Sequence, residues 1–191
     1  MVEYKRYDRS YEDEVLKVFT ASFVNYPLFW GVFEDRFKSE TELRSFYERL
    51  MKGIFRATVR KDDCYIGIED GKVKVIVIVE KPSDKPVGFW DYAVSGMAGI
   101  IARIGIRDTL RFMEMSDRTE IVVRSIPEPR WHLYFLAVDP GYQKRGMSVM
   151  LFNLYYDEIQ IVIFRVQTTV GMNSRRKYQE IIVLDPLGRF F

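Results

Sequence analysis

The chain has 191 residues, of which 48% are apolar and 29% are charged, and its formal net charge is +2. This length suits one domain with its own hydrophobic core, and so small a net charge does not favour a nucleic-acid partner. Cys64 is the one cysteine, which excludes an intramolecular disulfide. With no secretory leader and no apolar run near the roughly 20 residues of a membrane span, we expect a cytoplasmic protein without a membrane partner.

The first predicted elements are a short strand and two helices. The strand covers 3–7. Ser10 and Ser39 each stand three residues before an acidic residue, which is the spacing of a capping box, and apolar residues at helical spacing follow both. The first helix should end before Pro27, because the residue before a proline avoids the helical region. The second should run through the amphipathic stretch 43–55.

The middle of the chain predicts a β-hairpin and then a long helical connection. The pair Asp70-Gly71 stands between two β-rich runs, which is a strong hairpin signal. From 87 to 116 the pattern is helical and is interrupted by Gly96, Gly99 and Gly105. The two β-rich runs are 64–68 and 73–79.

The last third of the chain predicts alternating strands and helices. A buried strand over 131–138 comes first. The predicted elements after it are a helix over 146–158, a strand over 159–168, a short helix over 173–178 and a strand over 181–184. Strands that pair first in a hairpin and later alternate with helices imply an α/β fold with a sheet of mixed direction.

The junction after strand 131–138 has the features of an anion-binding site. The first amides of a helix lack internal partners and lie at its positive end, so a helix that begins near Gly146 can bind a phosphate. Gly146 and Ser148 are small enough to let an anion approach the backbone. Lys144 and Arg145 add positive charge nearby. The alternative is an ordinary connection with a solvated basic loop.

The same junction resembles motif A of the GNAT superfamily of N-acetyltransferases. Leu136-Ala-Val138-Asp-Pro140 is followed by Gln143-Lys-Arg-Gly146-Met-Ser148, and the family pattern is glutamine or arginine, two residues, glycine, one residue, then glycine or alanine. Trp131 to Pro140 is similar to the branch with puromycin acetyltransferase-like and fungal-type members. The resemblance implies one domain over 1–191 with a mixed, mostly antiparallel sheet flanked by helices. The stretch 87–118 would then be a helical insertion covering the acceptor site.

This resemblance implies that acetyl-CoA is a co-substrate bound in a splay between the fourth and fifth strands. The main chain of Leu136, Ala137 and Val138 would pair with its pantetheine arm, and Asn173 would touch it from a later helix. The pyrophosphate would be held by the amides of Gln143, Lys144, Arg145, Gly146, Met147 and Ser148.

Two residues are candidates for proton transfer. His132 stands six residues before Val138, where several family members carry a general-base glutamate, and strand alternation predicts that both side chains share a face. Tyr178 stands where the family often has the tyrosine that protonates the departing thiolate, although the glycine-phenylalanine pair that usually follows is missing. A structural histidine and an exposed helix tyrosine are the alternatives.

The predicted function is transfer of an acetyl group to a primary amine by direct attack in a ternary complex, with the Val138 amide polarising the thioester carbonyl. The acceptor is a small-molecule or peptide amine, and the chain is a monomer or a homodimer. No metal is expected, since one histidine and one cysteine cannot build a common zinc site. Two alternatives are an acyl-CoA-binding sensor without catalysis and an unrelated α/β protein that binds another phosphate ligand.

Overall fold

A computed structural model of the chain describes residues 2–23, 33, 36–81, 87–124, 131–143, 145, 162–166 and 180–184, with side chains as far as 114, at 116, and again over 131–143 and at 145. The predicted helices over 146–158 and 173–178 lie outside these residues, as does the predicted end of the first helix at Pro27. These two helices and that helix end therefore stay predictions.

Six strands form one sheet in which neighbours along the chain are also neighbours in space. Four of the five strand pairs are antiparallel, and the fourth and fifth strands run parallel. The prediction of a mixed, mostly antiparallel sheet is confirmed. The strands are β1 (Glu3–Arg6), β2 (Asp63–Glu69), β3 (Lys72–Glu80), β4 (Trp131–Val138), β5 (Val162–Val166) and β6 (Glu180–Leu184).

The described helices lie between strands along the chain, two between β1 and β2 and the others between β3 and β4. Those described are α1 (Glu12–Phe23), α2 (Glu40–Thr58), α3 (Phe89–Tyr92), α4 (Ala98–Ile104) and α5 (Ile106–Arg124), with a π-helical turn over Ala93–Met97. None of them is both long and apolar enough to cross a membrane. The hairpin turn between β2 and β3 has left-handed backbone at both Asp70 (φ 52°) and Gly71 (φ 72°), the twist that a tight two-residue hairpin needs, as predicted.

One of the two predicted helix caps is correct. Ser39 accepts a hydrogen bond from the Glu42 amide at 3.3 Å at the start of α2. The prediction for Ser10 is wrong, because Ser10 lies inside a 3-10 turn and Asp8 is the capping residue. The Asp8 carboxylate accepts from the Ser10 amide at 2.9 Å and also from the Ser10 hydroxyl, and α1 begins at Glu12. A charged carboxylate is the stronger acceptor for this first amide.

The core lies between one face of the sheet and the helices α1 and α2. Phe19, Phe46 and Phe55 are almost fully buried there, together with Ile76 and Ile78 from β3. The opposite face of the sheet carries a second, smaller apolar cluster. Its buried members are Val75, Val77, Val79 and Leu133.

The connection from β3 to β4 is helical where the structure describes it, as predicted. Gly96 (φ 91°) and Gly105 (φ 86°) interrupt the helices, whereas the predicted break at Gly99 is wrong, since Gly99 lies within α4. Met97 packs on α2 at Gly53, where an added Cβ would come within 2.3 Å of the Met97 Cγ. That close approach fixes the connection against α2. Whether it is an insertion that covers an acceptor site stays a prediction.

Replacing Gly67 with alanine tests the packing of the first strands. A Cβ there would lie 2.5 Å from Val75 Cγ1 and 2.7 Å from Tyr4 Cε1, so both neighbours must move. We expect Gly67→Ala to lower the free energy of unfolding by about 1–3 kcal/mol in urea titrations. Gly99→Ala is the control: its Cβ meets nothing within 4 Å, so a gain of up to about 1 kcal/mol is expected. Equal stabilities for the two variants would contradict this account.

Candidate active site

Strand β4 carries an extra residue in its pairing with β3. Phe135 lies opposite Ile78 and Leu133 lies opposite Val79, so Tyr134 has no counterpart on β3. This is a β-bulge, and it reverses the alternation of side chains between the two faces of the sheet.

The bulge overturns the prediction that His132 and Val138 share a face. Leu133 and Val138 belong to the smaller apolar cluster on one face, and Ala137 belongs to the main core on the other. His132 is next to Leu133 and therefore points to the main-core side, opposite the Val138 side chain. Strict alternation over six residues gave the wrong answer because it assumed an unbroken ladder.

His132 is 8% exposed and pairs with a carboxylate on the neighbouring strand. It lies opposite Glu80 in the β3–β4 register, and its Nδ1 is 3.2 Å from Glu80 Oε2. If Nδ1 donates to this carboxylate, the lone pair of the neutral ring is on Nε2, which is then the basic nitrogen. The arrangement matches the general pattern of a base that a third group orients. Sequence analysis missed Glu80, since 52 residues separate it from His132.

Aromatic rings surround the histidine on the same strand and on α1. The Tyr134 ring lies 5.8 Å from the imidazole in an edge-to-face arrangement, and Phe135 lies 4.7 Å from Tyr134. Phe19 and Phe23 of α1 pack edge-on against Phe135 at 5.1 and 5.5 Å. These contacts hold β4 against α1 and give the histidine an apolar neighbourhood.

The end of β4 turns backbone groups away from β3. The Asp139 amide donates to the Lys74 carbonyl at 2.8 Å, so the amide of Asp139 faces β3. Backbone groups alternate in direction along an antiparallel strand, and those of Leu136 and Val138 therefore point to the opposite edge, toward β5. The pairs of β4 with β5 join Trp131 and His132 to Val162 and Ile163, at the other end of the strand. The predicted splay between these strands stays a prediction.

Helix α1 is fastened to both central strands. The Ser22 hydroxyl lies 3.0 Å from the Val138 carbonyl and 2.9 Å from the Val18 carbonyl. Near the other end of α1, the Glu14 carboxylate accepts from the Val73 amide at 2.8 Å. No sequence signal pointed to these contacts, because 116 and 59 residues separate the partners.

Asp139 organises the loop that follows β4. Its Oδ1 accepts from the Gly141 amide at 3.0 Å, which caps a 3-10 turn over Pro140–Tyr142, and its Oδ2 lies 3.1 Å from Lys74 Nζ. Burial acts to raise the pKa of Asp139, but the Gly141 amide and Lys74 outweigh it and the pKa falls below its usual value. Burial likewise acts to lower the pKa of Lys74, and the bond to Asp139 outweighs it and raises that pKa.

Two cations flank the Tyr142 ring in this loop. Lys74 Nζ lies 3.9 Å from the ring centroid and the Arg145 guanidinium lies 4.5 Å from it. Gln143 is exposed. The predicted phosphate-binding residues Lys144, Gly146, Met147 and Ser148 lie outside the described residues. So do Asn173 and the predicted acid Tyr178, and these roles stay predictions.

Other reactive side chains do not join this site. Cys64 is buried in β2, and burial raises the pKa of its thiol far above the usual value. Over the described ranges, no cluster of three or more histidine, cysteine, aspartate or glutamate side chains is placed to hold a metal ion.

The fold of the chain is similar to that of solved acetyltransferases. A Corynebacterium glutamicum structure, described as histone acetyltransferase HPA2 and related acetyltransferase, superposes with a TM-score of 0.52 over 88% of this chain and 78% of its own, at 11% identity. The chain has the GNAT acetyltransferase fold. At this identity the similarity establishes the fold and not the activity.

Further N-acetyltransferases match with lower scores. The polyamine N-acetyltransferase of Drosophila melanogaster gives 0.47 at 15% identity, with 88% of this chain and 78% of that chain covered. The Thermoplasma acidophilum PaiA N-acetyltransferase in complex with coenzyme A gives 0.42 at 10% identity, with 88% and 81% covered. No protein-family model and no curated protein matches the sequence. The assignment to the puromycin-type branch stays a prediction.

The Asp139–Lys74 pair predicts how the loop responds to pH. Because the native pKa of Asp139 is depressed, the pair stabilises the fold above the unfolded carboxyl pKa of about 3.9, and this contribution is lost as the pH falls through the native pKa. We therefore expect the stability difference between wild type and Asp139→Asn to be full near neutral pH and to shrink below about pH 4. Chemical denaturation across pH, with Lys74→Met closing a double-mutant cycle, measures it. A difference independent of pH would contradict a depressed pKa of Asp139 in the native state.

Proposed function

We propose that the protein is an N-acyltransferase that moves an acetyl group from acetyl-CoA to the nitrogen of a small-molecule or peptide amine. The observation that carries the proposal is the edge of β4, where the backbone groups of Leu136 and Val138 point away from β3 beside a loop with two cations. The extended pantetheine arm of acetyl-CoA carries amide groups, which can pair with such an edge as an added strand would. The GNAT fold supports the reaction class by analogy.

The cofactor's diphosphate belongs at the loop after β4. Arg145 adds positive charge to this loop, whereas the charge of Lys74 is paired with Asp139, whose cap fixes the first turn. The helix predicted from Gly146 would present its free amides to the same anion. We assign Leu136, Ala137 and Val138 to the pantetheine arm and Gln143 to Ser148 to the diphosphate, with Asn173 as a further contact.

The reaction joins the amine nitrogen to the thioester carbonyl carbon as the carbon–sulfur bond breaks. His132 Nε2 would take the proton lost by the amine, directly or through water, with Glu80 holding the ring and stabilising its charged form. A backbone amide of β4 would donate to the carbonyl oxygen as negative charge develops there. Tyr178 would donate its hydroxyl proton to the departing thiolate.

The position of His132 bears on which amide contacts the thioester. Strands rise about 3.3 Å per residue, so Val138 lies roughly 20 Å along the strand from His132 and Leu136 only about 13 Å. A general base must reach its proton directly or through a short water path. We therefore assign the carbonyl contact to the Leu136 amide in place of Val138, whose amide would serve the pantetheine arm.

The cofactor assignment is tested at Gly146. A glutamate there would bring a negative charge to the proposed diphosphate site, so Gly146→Glu should abolish coenzyme A binding in calorimetry. Gly146→Ala should keep most of the affinity, because a methyl group adds no charge. Circular dichroism confirms that both variants fold. Unchanged affinity in a folded Gly146→Glu variant would exclude this loop as the diphosphate site.

The base is tested by a pair of substitutions. We expect His132→Gln to lower kcat/KM by roughly 10²-fold or more. Glu80→Gln should lower it less, since it keeps the base and removes only the carboxylate that orients the imidazole. Tyr134→Phe, which keeps the ring beside His132, is the matched control and should leave kcat/KM nearly unchanged. If His132→Gln keeps the wild-type kcat/KM, His132 is structural.

Tyr178→Phe separates an enzyme from a binding module. The change removes one hydroxyl and keeps the ring, so coenzyme A affinity should hold while kcat falls, because the lost bond is strongest as charge develops on sulfur. Affinity by calorimetry and kcat with a panel of amines are measured together. Wild-type kcat in the variant would remove Tyr178 from the mechanism. Binding of acetyl-CoA by the wild type without turnover of any amine would identify a sensor.

A further inference from the structure

A cleft of about 250 Å³ lies between α2 and the helices of the β3–β4 connection. Its lining contains no residue of β4 or of the loop 139–145, so it is separate from the candidate active site. It is smaller than the roughly 300–1,000 Å³ of drug-sized pockets, which suits a small ligand. The lining residues are Phe46, Arg49, Lys52, Gly53, Arg56, Ser95, Gly96, Gly99, Ile100 and Arg103.

Four cations line this cleft, and no carboxylate does. Arg49, Lys52 and Arg56 follow one another at three- and four-residue spacing, so they share one face of α2. Arg103 faces them from α4. The neighbouring cleft between α1 and α2 is different, because it mixes acidic and basic side chains. The absence of acids is therefore a property of this one cleft and not of the whole surface of α2.

Two of the four cations are partly balanced from outside the cleft. Arg56 pairs with Glu12 at 2.7 Å, and Arg103 pairs with Glu42. Arg49 donates to the Ser45 carbonyl, which is a neutral acceptor. Lys52 also lines the neighbouring cleft, where Glu48 is present. The space enclosed by the four side chains keeps a positive potential that suits an anion.

The floor of the cleft is apolar, and glycine backbone forms part of its wall. Phe46 and Ile100 are buried beneath it, and Gly53, Gly96 and Gly99 form much of the wall. A Cβ added at Gly99 would meet nothing within 4 Å, so this side of α4 faces open space. A flat apolar group would find contact on this floor while a charged group met the cations.

We propose that this cleft binds a small organic phosphate, with the phosphate among Arg49, Lys52, Arg56 and Arg103 and the apolar body against Phe46 and Ile100. Guanidinium groups present paired donors that match phosphate oxygens, and three of the four cations are arginines. A doubly charged head also suits four cations better than a single carboxylate does. The proposal does not depend on the activity assigned to β4.

Phenyl phosphate is the probe, because it joins a dianion to a flat apolar ring. Calorimetry on the wild type should show saturable binding that weakens as salt is added. Phenol, which lacks the charge, should not bind, and inorganic phosphate and benzoate should bind more weakly. Binding of phenol as tight as that of phenyl phosphate, or no binding of phenyl phosphate at millimolar concentration, would overturn the proposal.

Substitutions place the binding in this cleft. Gly99→Glu puts a negative charge into the open space and should lower the affinity about tenfold or more, whereas Gly99→Ala should retain it. Arg49→Gln should lower it about three- to tenfold. Thermal melts confirm that each variant folds. Unchanged affinity in Gly99→Glu, or loss of affinity in Gly146→Glu, would overturn the proposal, since the latter would place the probe at the loop after β4.

Discussion

The pairing of β3 with β4 determines where each described candidate residue lies. It sets Glu80 beside His132 at one end of the ladder and Lys74 beside Asp139 at the other. Between these two contacts, the bulge at Tyr134 changes which face each side chain joins. A one-residue slip in this register would separate both pairs and exchange the two faces. The site therefore depends on a backbone ladder more than on any single side chain.

The elements that sequence analysis predicted well are those with local causes. The hairpin at Asp70-Gly71 follows from two residues that tolerate left-handed backbone, and the cap at Ser39 follows from one side chain near its own amides. The apolar face of α2 follows from the helical spacing of its apolar residues. Each of these signals is complete within a few residues, so the sequence contains the whole cause.

The wrong predictions concern features that a distant strand or a competing side chain determines. Nothing near Tyr134 in the sequence marks it as a bulge, because a bulge is defined by the partner strand. Glu80 can be recognised as the partner of His132 only when the register of β3 and β4 is known. Ser10 has the spacing of a cap, but the carboxylate of Asp8 two residues earlier is the better acceptor. It accepts the hydrogen bond from the Ser10 amide. The cofactor edge at the end of β4 stays a prediction from motif resemblance.

The two attachments of α1 limit how this helix can move against the sheet. Glu14 holds the helix to β3 and Ser22 holds it to β4, and eight residues of helix separate them by about 12 Å. A helix pinned at two points along its axis cannot slide without breaking one bond, and it cannot roll without breaking both. The last turn of α1 thus becomes a fixed point beside the Val138 carbonyl. The end of β4 is thereby held from α1 as well as from β3.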